Sequence, residues 1–176
     1  MKDIKEFENQ INQLEAQFKM ESKIKTAKAF SDVEMQEQPI MGHEPVENEP
    51  MEDTPMDNFV DMVYCLKQSN EQAIVWHHQT TSFAAHKALD NYYSEIVGLL
   101  DGLIESVSGI YGRPTGYELV NPVDYQSIEQ VQAYFQALYV EVQSERQVTF
   151  QESWIQNQID GIAELIAETL YLLTLK

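Results

Sequence analysis

An all-α four-helix bundle is the fold class this sequence predicts, and three observations carry it. Apolar residues recur at helical intervals through four stretches beyond Pro55, break signals separate those stretches, and no alternating strand pattern of useful length occurs. At 176 residues the chain suits one core of ordinary size.

Taken in order, residues 1–30 come first. Ile4, Phe7, Ile11, Leu14 and Phe18 are spaced 3, 4, 3 and 4, which puts them on one seam of a short amphipathic helix. Two heptads are too few for an independent coiled coil, so the seam is expected to dock on its own domain, on a second copy or on a protein partner. Residues 31–56 carry Pro39, Pro45, Pro50 and Pro55, many carboxylates and few large apolar residues, the composition of an extended acidic linker. His43 within it is expected to be solvated.

The bundle is assigned to residues 57–176. Its first helix, 57–78, places Phe59, Val60, Val63, Leu66, Ile74 and Val75 at helical intervals, and "QTTS" breaks it while offering Thr81 or Ser82 as a cap. The second runs from 82 to about 110 and ends at "GIYGRPTG", whose glycines and proline cannot continue a helix. A loop through "YELVNPVDYQ" follows, in which "GYELVNP" is able to pair briefly as an extended segment. Ser127 with Glu129 and Gln130 resembles a capping box opening the third helix, with Val131, Phe135, Leu138 and Val142 inward. The fourth spans 150–174, with Ile155, Ile159, Ile162, Ile166, Leu170 and Leu173 inward.

Charge restricts the function classes. The net charge is −18, and residues 31–57 hold nine acids and no Lys or Arg. No basic stripe exists for counterion release, which argues against direct DNA binding; only the mixed segment 1–30, with six Lys, offers cations in number. A single cysteine, Cys65, excludes an internal disulfide framework and a multi-cysteine zinc site. Neither a signal core nor an apolar membrane span is present, so a soluble, cytoplasmic protein without membrane contact is expected.

The chemistry concentrates on the second bundle helix. With His86 at zero and about 100° per residue, Asp90 lies near 40°, Asp101 near 60° and Glu105 near 100°. These four share one quadrant, bordering an apolar arc of Leu89, Tyr93, Ile96, Val97, Leu100, Leu103, Ile104 and Val107. Carboxylates at a core margin need a cation or hydrogen bonds to offset desolvation, whereas a solvated helix margin needs neither; both readings are open at this point. Asp90 and Asp101 lie about 16 Å apart along the axis, so one helix cannot close a single site. An antiparallel pairing about a two-fold axis would set His86 and Asp90 of one copy beside Asp101 and Glu105 of another. Asp160 and Glu164 repeat the four-residue spacing on the fourth helix, where solvation is the expected state. Trp76, Trp154, Tyr92 and Tyr93 are expected to fill the core or an interface.

A histidine, a short connection, His86, then Asp90, Asp101 and Glu105, resembles the ferroxidase motif of the Dps mini-ferritins. The stretch "HHQTTSFAAHKALDNYYSEI" is similar to a set of ferritin-like proteins, many from bacteriophages, with a "HWQT.S.AEHKAL" pattern. His77 falls at the first histidine, and His78 stands where tryptophan is usual. The resemblance implies a ferritin-like bundle over about 57–175, intersubunit metal sites from His77, His86, Asp90, Asp101 and Glu105, and a homo-oligomer. It implies iron oxidation and storage, in host cytoplasm or a phage particle. Iron, zinc and manganese all suit these donors. The His77–His86 connection is shorter than in ordinary Dps proteins. The alternative is a non-catalytic ferritin-like structural protein, such as a particle component tethered through residues 1–30.

Overall fold

The structure is a computed structural model and describes residues 53–117 and 121–175. The expected N-terminal helix, the linker up to residue 52 with His43, and the centre of "GYELVNP" lie outside the described residues. Within them, all regular structure is helical: α1 Pro55–Gln79, α2 Phe83–Tyr111, α3 Ile128–Val148 and α4 Ser153–Leu172. No described helix is long and apolar enough to cross a membrane.

Capping chemistry sets the boundaries. The Thr54 hydroxyl accepts from the Asp57 N–H while the Asp57 carboxylate accepts from the Thr54 N–H at 2.9 Å. This box, with Pro55 at the first helical position, starts α1 two residues before the expected Asp57. Ser82 caps α2 by accepting from the Ala85 N–H at 3.3 Å. Gly112 ends α2 at φ 95° and ψ 169°, a conformation that costs a residue with a Cβ about 1–3 kcal/mol. Ser127 caps α3 through the Gln130 N–H, but the returning arm is displaced: Gln130 Oε1 accepts from the Gln126 N–H at 2.8 Å. Gln151 Nε2 donates to the carbonyls of Arg146 and Thr149, stitching the α3–α4 turn, and α4 starts at Ser153, three residues after the expected 150.

Helix α1 packs on α2 and α3, and α4 packs on α2 and α3, so the chain's path from α2 to α3 crosses the bundle diagonal. The described parts of the link, 112–117 and 121–127, touch α1. Near its start Tyr111 stacks on Phe150 at 4.0 Å, and the ring of Tyr117 lies under the Lys67 ammonium. Further on, Gln72 donates to the Val123 carbonyl and accepts from the Val123 N–H, both at 2.8 Å. Gln79 makes the same kind of clasp, donating to Asp124 Oδ1 and accepting from the Tyr125 N–H. Gln72 thus gives Val123 both backbone partners that a strand would provide, and Gln79 serves one backbone N–H and one carboxylate. Helix α3 then returns toward the start of α1, where Asn58 donates to the Val148 carbonyl and Thr149 to that of Pro55. Helix α4 runs back to the far end, where Gln132 donates to the Leu173 carbonyl.

The core follows the predicted faces of α3 and α4 closely: Val131, Phe135, Val142, Ile155, Ile159, Ile162 and Ile166 are all fully buried. On α1 the inward face is rotated from the expected one. Phe59, Met62, Val63, Leu66, Ala73 and Trp76 are buried, whereas Val60, Ile74 and Val75 stand at its margin. On α2 Tyr92, not Tyr93, enters the core, its hydroxyl 2.6 Å from Ser69 Oγ and its ring edge-on to Phe135. Val97, expected inward, is 54% exposed, and Trp154 also stands at the surface. Asp160 is exposed as expected and takes the Arg146 guanidinium at 2.7 Å.

Candidate metal centre

The three-residue turn between α1 and α2 leaves the last turn of one helix against the first of the other. That junction brings His77 and His86 together with their rings stacked, centroids 3.8 Å apart and planes 22° from parallel. His77 Nδ1 lies 3.0 Å from the His86 carbonyl oxygen, and His86 Nδ1 lies 3.1 Å from the His77 carbonyl oxygen. A carbonyl only accepts, so each Nδ1 donates and carries hydrogen. In the neutral rings both Nε2 lone pairs are then left available, the condition in which an imidazole ligates a metal. His77 is buried and His86 half-buried, while His78 is exposed and meets the His77 ring edge-on at 5.2 Å. Of the two adjacent histidines, His77 is therefore the one placed with His86.

One turn beyond His86, the carboxylate of Asp90 is held on both oxygens. The Lys87 ammonium donates to Oδ2 and the Tyr93 hydroxyl to Oδ1, each at 2.9 Å. Lys87 first, and Tyr93 second, hold the Asp90 carboxyl below its usual range, so it is ionised at neutral pH. The bond to Asp90 raises the Tyr93 phenol in turn. The Tyr93 ring also stands edge-on to His77 at 5.2 Å, joining carboxylate and imidazole in one cluster.

Asp101 and Glu105 are not brought to that cluster. Both are exposed further along α2, and Asp101 borders an open groove of about 510 Å³ whose walls include Tyr64, Leu100 and Tyr117. Among the described residues, no three His, Cys, Asp or Glu side chains converge to hold a metal within one chain. The five predicted residues thus fall into two separate groups on one copy: His77, His86 and Asp90 at the α1–α2 turn, and Asp101 with Glu105 toward the other end of α2.

A family of unknown function, DUF5856, has a model that matches residues 77–173, more than half of the chain. The chain belongs to that family. No curated protein and no solved structure matches it. The DUF5856 match opens at His77 and contains all five candidate residues together with Lys87 and Tyr93, leaving nearly all of α1 outside.

Periodicity gives Lys87 no role and makes Tyr93 a core or interface filler, although the signal for their contact with Asp90 is present in the sequence. Both stand three residues from Asp90, and side chains at that spacing are neighbours on a helix. Tyr93 was placed in the apolar arc because its ring does lie at the core margin; its hydroxyl reaches past that margin to the carboxylate.

Proposed function

We propose that this protein is a ferritin-like, Dps-like iron-binding protein that oxidises Fe(II) at sites shared between two copies of the chain. The reciprocal pairing of His77 and His86 carries the reading. It holds two imidazoles with their Nε2 atoms uncommitted beside an ionised carboxylate, while the bond from His86 Nδ1 also caps a carbonyl in the last turn of α1. Support comes also from the connectivity, since a four-helix bundle with a single long crossover is how ferritin-like chains are wound.

The missing donors would come from a second copy. His86 and Glu105 are equidistant in sequence from the point between Glu95 and Ile96, and so are Asp90 and Asp101. One two-fold axis through α2 at that point would unite both pairs. Ser94, Glu95, Val97 and Gly98 around it are exposed, and a side chain added at Gly98 would meet nothing. Fe(II) would then be held by donors from His77, His86 and Asp90 of one copy and Asp101 and Glu105 of the other, the two stacked rings turning apart so that both Nε2 atoms face the ion. Nitrogen and carboxylate donors suit Fe(II), as they suit zinc or manganese, and each Fe(II) would pass one electron to dioxygen or peroxide. The ferric product could be retained if the copies close into a shell.

A second reading, a non-catalytic bundle, is favoured by one observation: both Asp90 oxygens already have partners within the chain. Light scattering separates the two. The shared-site reading expects a dimer or larger assembly that Zn(II) or Fe(II) stabilises against unfolding, by about 2.7 kcal/mol at a hundredfold excess over Kd. A monomer at micromolar concentration, indifferent to either metal, would exclude it.

A further inference from the structure

We infer that Lys87 is a stand-in cation: its ammonium occupies Asp90 in the metal-free chain and must leave before a metal ion can take that carboxylate. The inference rests on the metal reading above and adds a residue that governs how readily the site fills. The two oxygens of Asp90 are held by groups of different permanence. Tyr93 holds Oδ1 from a half-buried position, its ring packed edge-on to His77. Lys87 holds Oδ2 from solvent, its side chain 58% exposed on a flexible stem, with no other hydrogen bond or ion pair among the described contacts.

A divalent ion on Oδ2 of Asp90 would sit within about 5 Å of where the ammonium now lies, since the ammonium is 2.9 Å from that same oxygen. Like charges at that range repel, so the ammonium and the metal cannot share the carboxylate. The Lys87–Asp90 pair is exposed and weak on its own account, so its displacement is cheap and the lysine swings into water. Tyr93 can remain, because a phenol bonded to one carboxylate oxygen leaves the other free for a metal and fixes its direction. Lys87 thus neutralises the carboxylate in the empty site and weakens metal binding modestly, while Tyr93 is the positioning residue for the same group.

Zn(II), which has no redox chemistry of its own, is the probe, titrated calorimetrically into the full chain and its Lys87→Gln, Lys87→Arg and Asp90→Asn variants. Lys87→Gln should bind Zn(II) roughly three- to tenfold more tightly than wild type. Lys87→Arg, which keeps a cation over the carboxylate, should not gain, and Asp90→Asn should bind at least about tenfold more weakly. A gain in affinity is a sign that a merely structural lysine would not produce. If Lys87→Gln equals or falls below wild type while Asp90→Asn loses binding, the stand-in role is overturned and the metal site stands. If none of the four proteins binds Zn(II), both fall together.

Discussion

An Asp101→Asn, Glu105→Gln double variant is expected to oxidise Fe(II) at least about 100-fold more slowly than wild type, with its fold intact. Altering groups that only orient metal ligands commonly costs 10- to 100-fold, and these two would be ligands themselves. Each amide keeps the shape of the carboxylate it replaces and removes its charge, so what is lost is the hard anionic donor. Stability should hardly move. Both side chains are exposed in the single chain, and exposed substitutions of this kind usually stay within about 0.5 kcal/mol for the metal-free chain. The same change at Asp90 would be harder to interpret, because it also breaks the contacts to Lys87 and Tyr93. Ferric absorbance in the near ultraviolet, followed after adding Fe(II) to each protein, gives the comparison. Equal rates would remove Asp101 and Glu105 from the chemistry.

The largest effect on stability is expected at Trp76. Its side chain is 1% exposed, meets Tyr134 edge-on at 5.2 Å, and is among the largest in the core. Trp76→Ala should cost about 3–5 kcal/mol, a large part of the roughly 5–15 kcal/mol that holds an ordinary domain together. For a bundle of this size the unfolding midpoint should fall by more than about 10 °C. Trp76→Phe should cost distinctly less, since it keeps an aromatic ring against Tyr134 and deletes an indole N–H that has no partner among the described residues. Urea unfolding of the three proteins tests the order. A loss under about 1 kcal/mol for Trp76→Ala would contradict the core assignment. Because Trp76 precedes His77 at the end of α1, loosening there should also disturb the stacked histidines.

Much of this arrangement was legible in the residues. Helical spacing marked the buried faces of α3 and α4 because those helices bury one well-separated stripe each. The hydroxyls of Ser82 and Ser127 marked two helix starts. The four acidic and imidazole positions on α2 were visible as one quadrant, since that is a property of a single regular helix. Relations between elements were not visible. Gln72 and Gln79 fasten the crossover by long-range amide clasps, and a glutamine on a helix has no local feature that announces such a role. The stacking of His77 on His86 depends on the angle at which a three-residue turn sets two helices, which periodicity does not encode. Val97 falls within the apolar arc by its angle, yet among the described residues it is 54% exposed.

Sharing of one site between two copies is the claim on which the function rests, and mixing two defective chains tests it most directly. One chain carries His77→Ala and His86→Ala; the other carries Asp101→Asn and Glu105→Gln. Each alone should bind Zn(II) poorly. Unfolded together and allowed to reassemble at random, half of the pairs would be mixed, and each mixed pair would contain one intact site of its two. Tight binding should therefore return to about a quarter of the wild-type capacity, and return only after reassembly. No recovery in the reassembled mixture, or full binding by either defective chain alone, would contradict a site built from two copies.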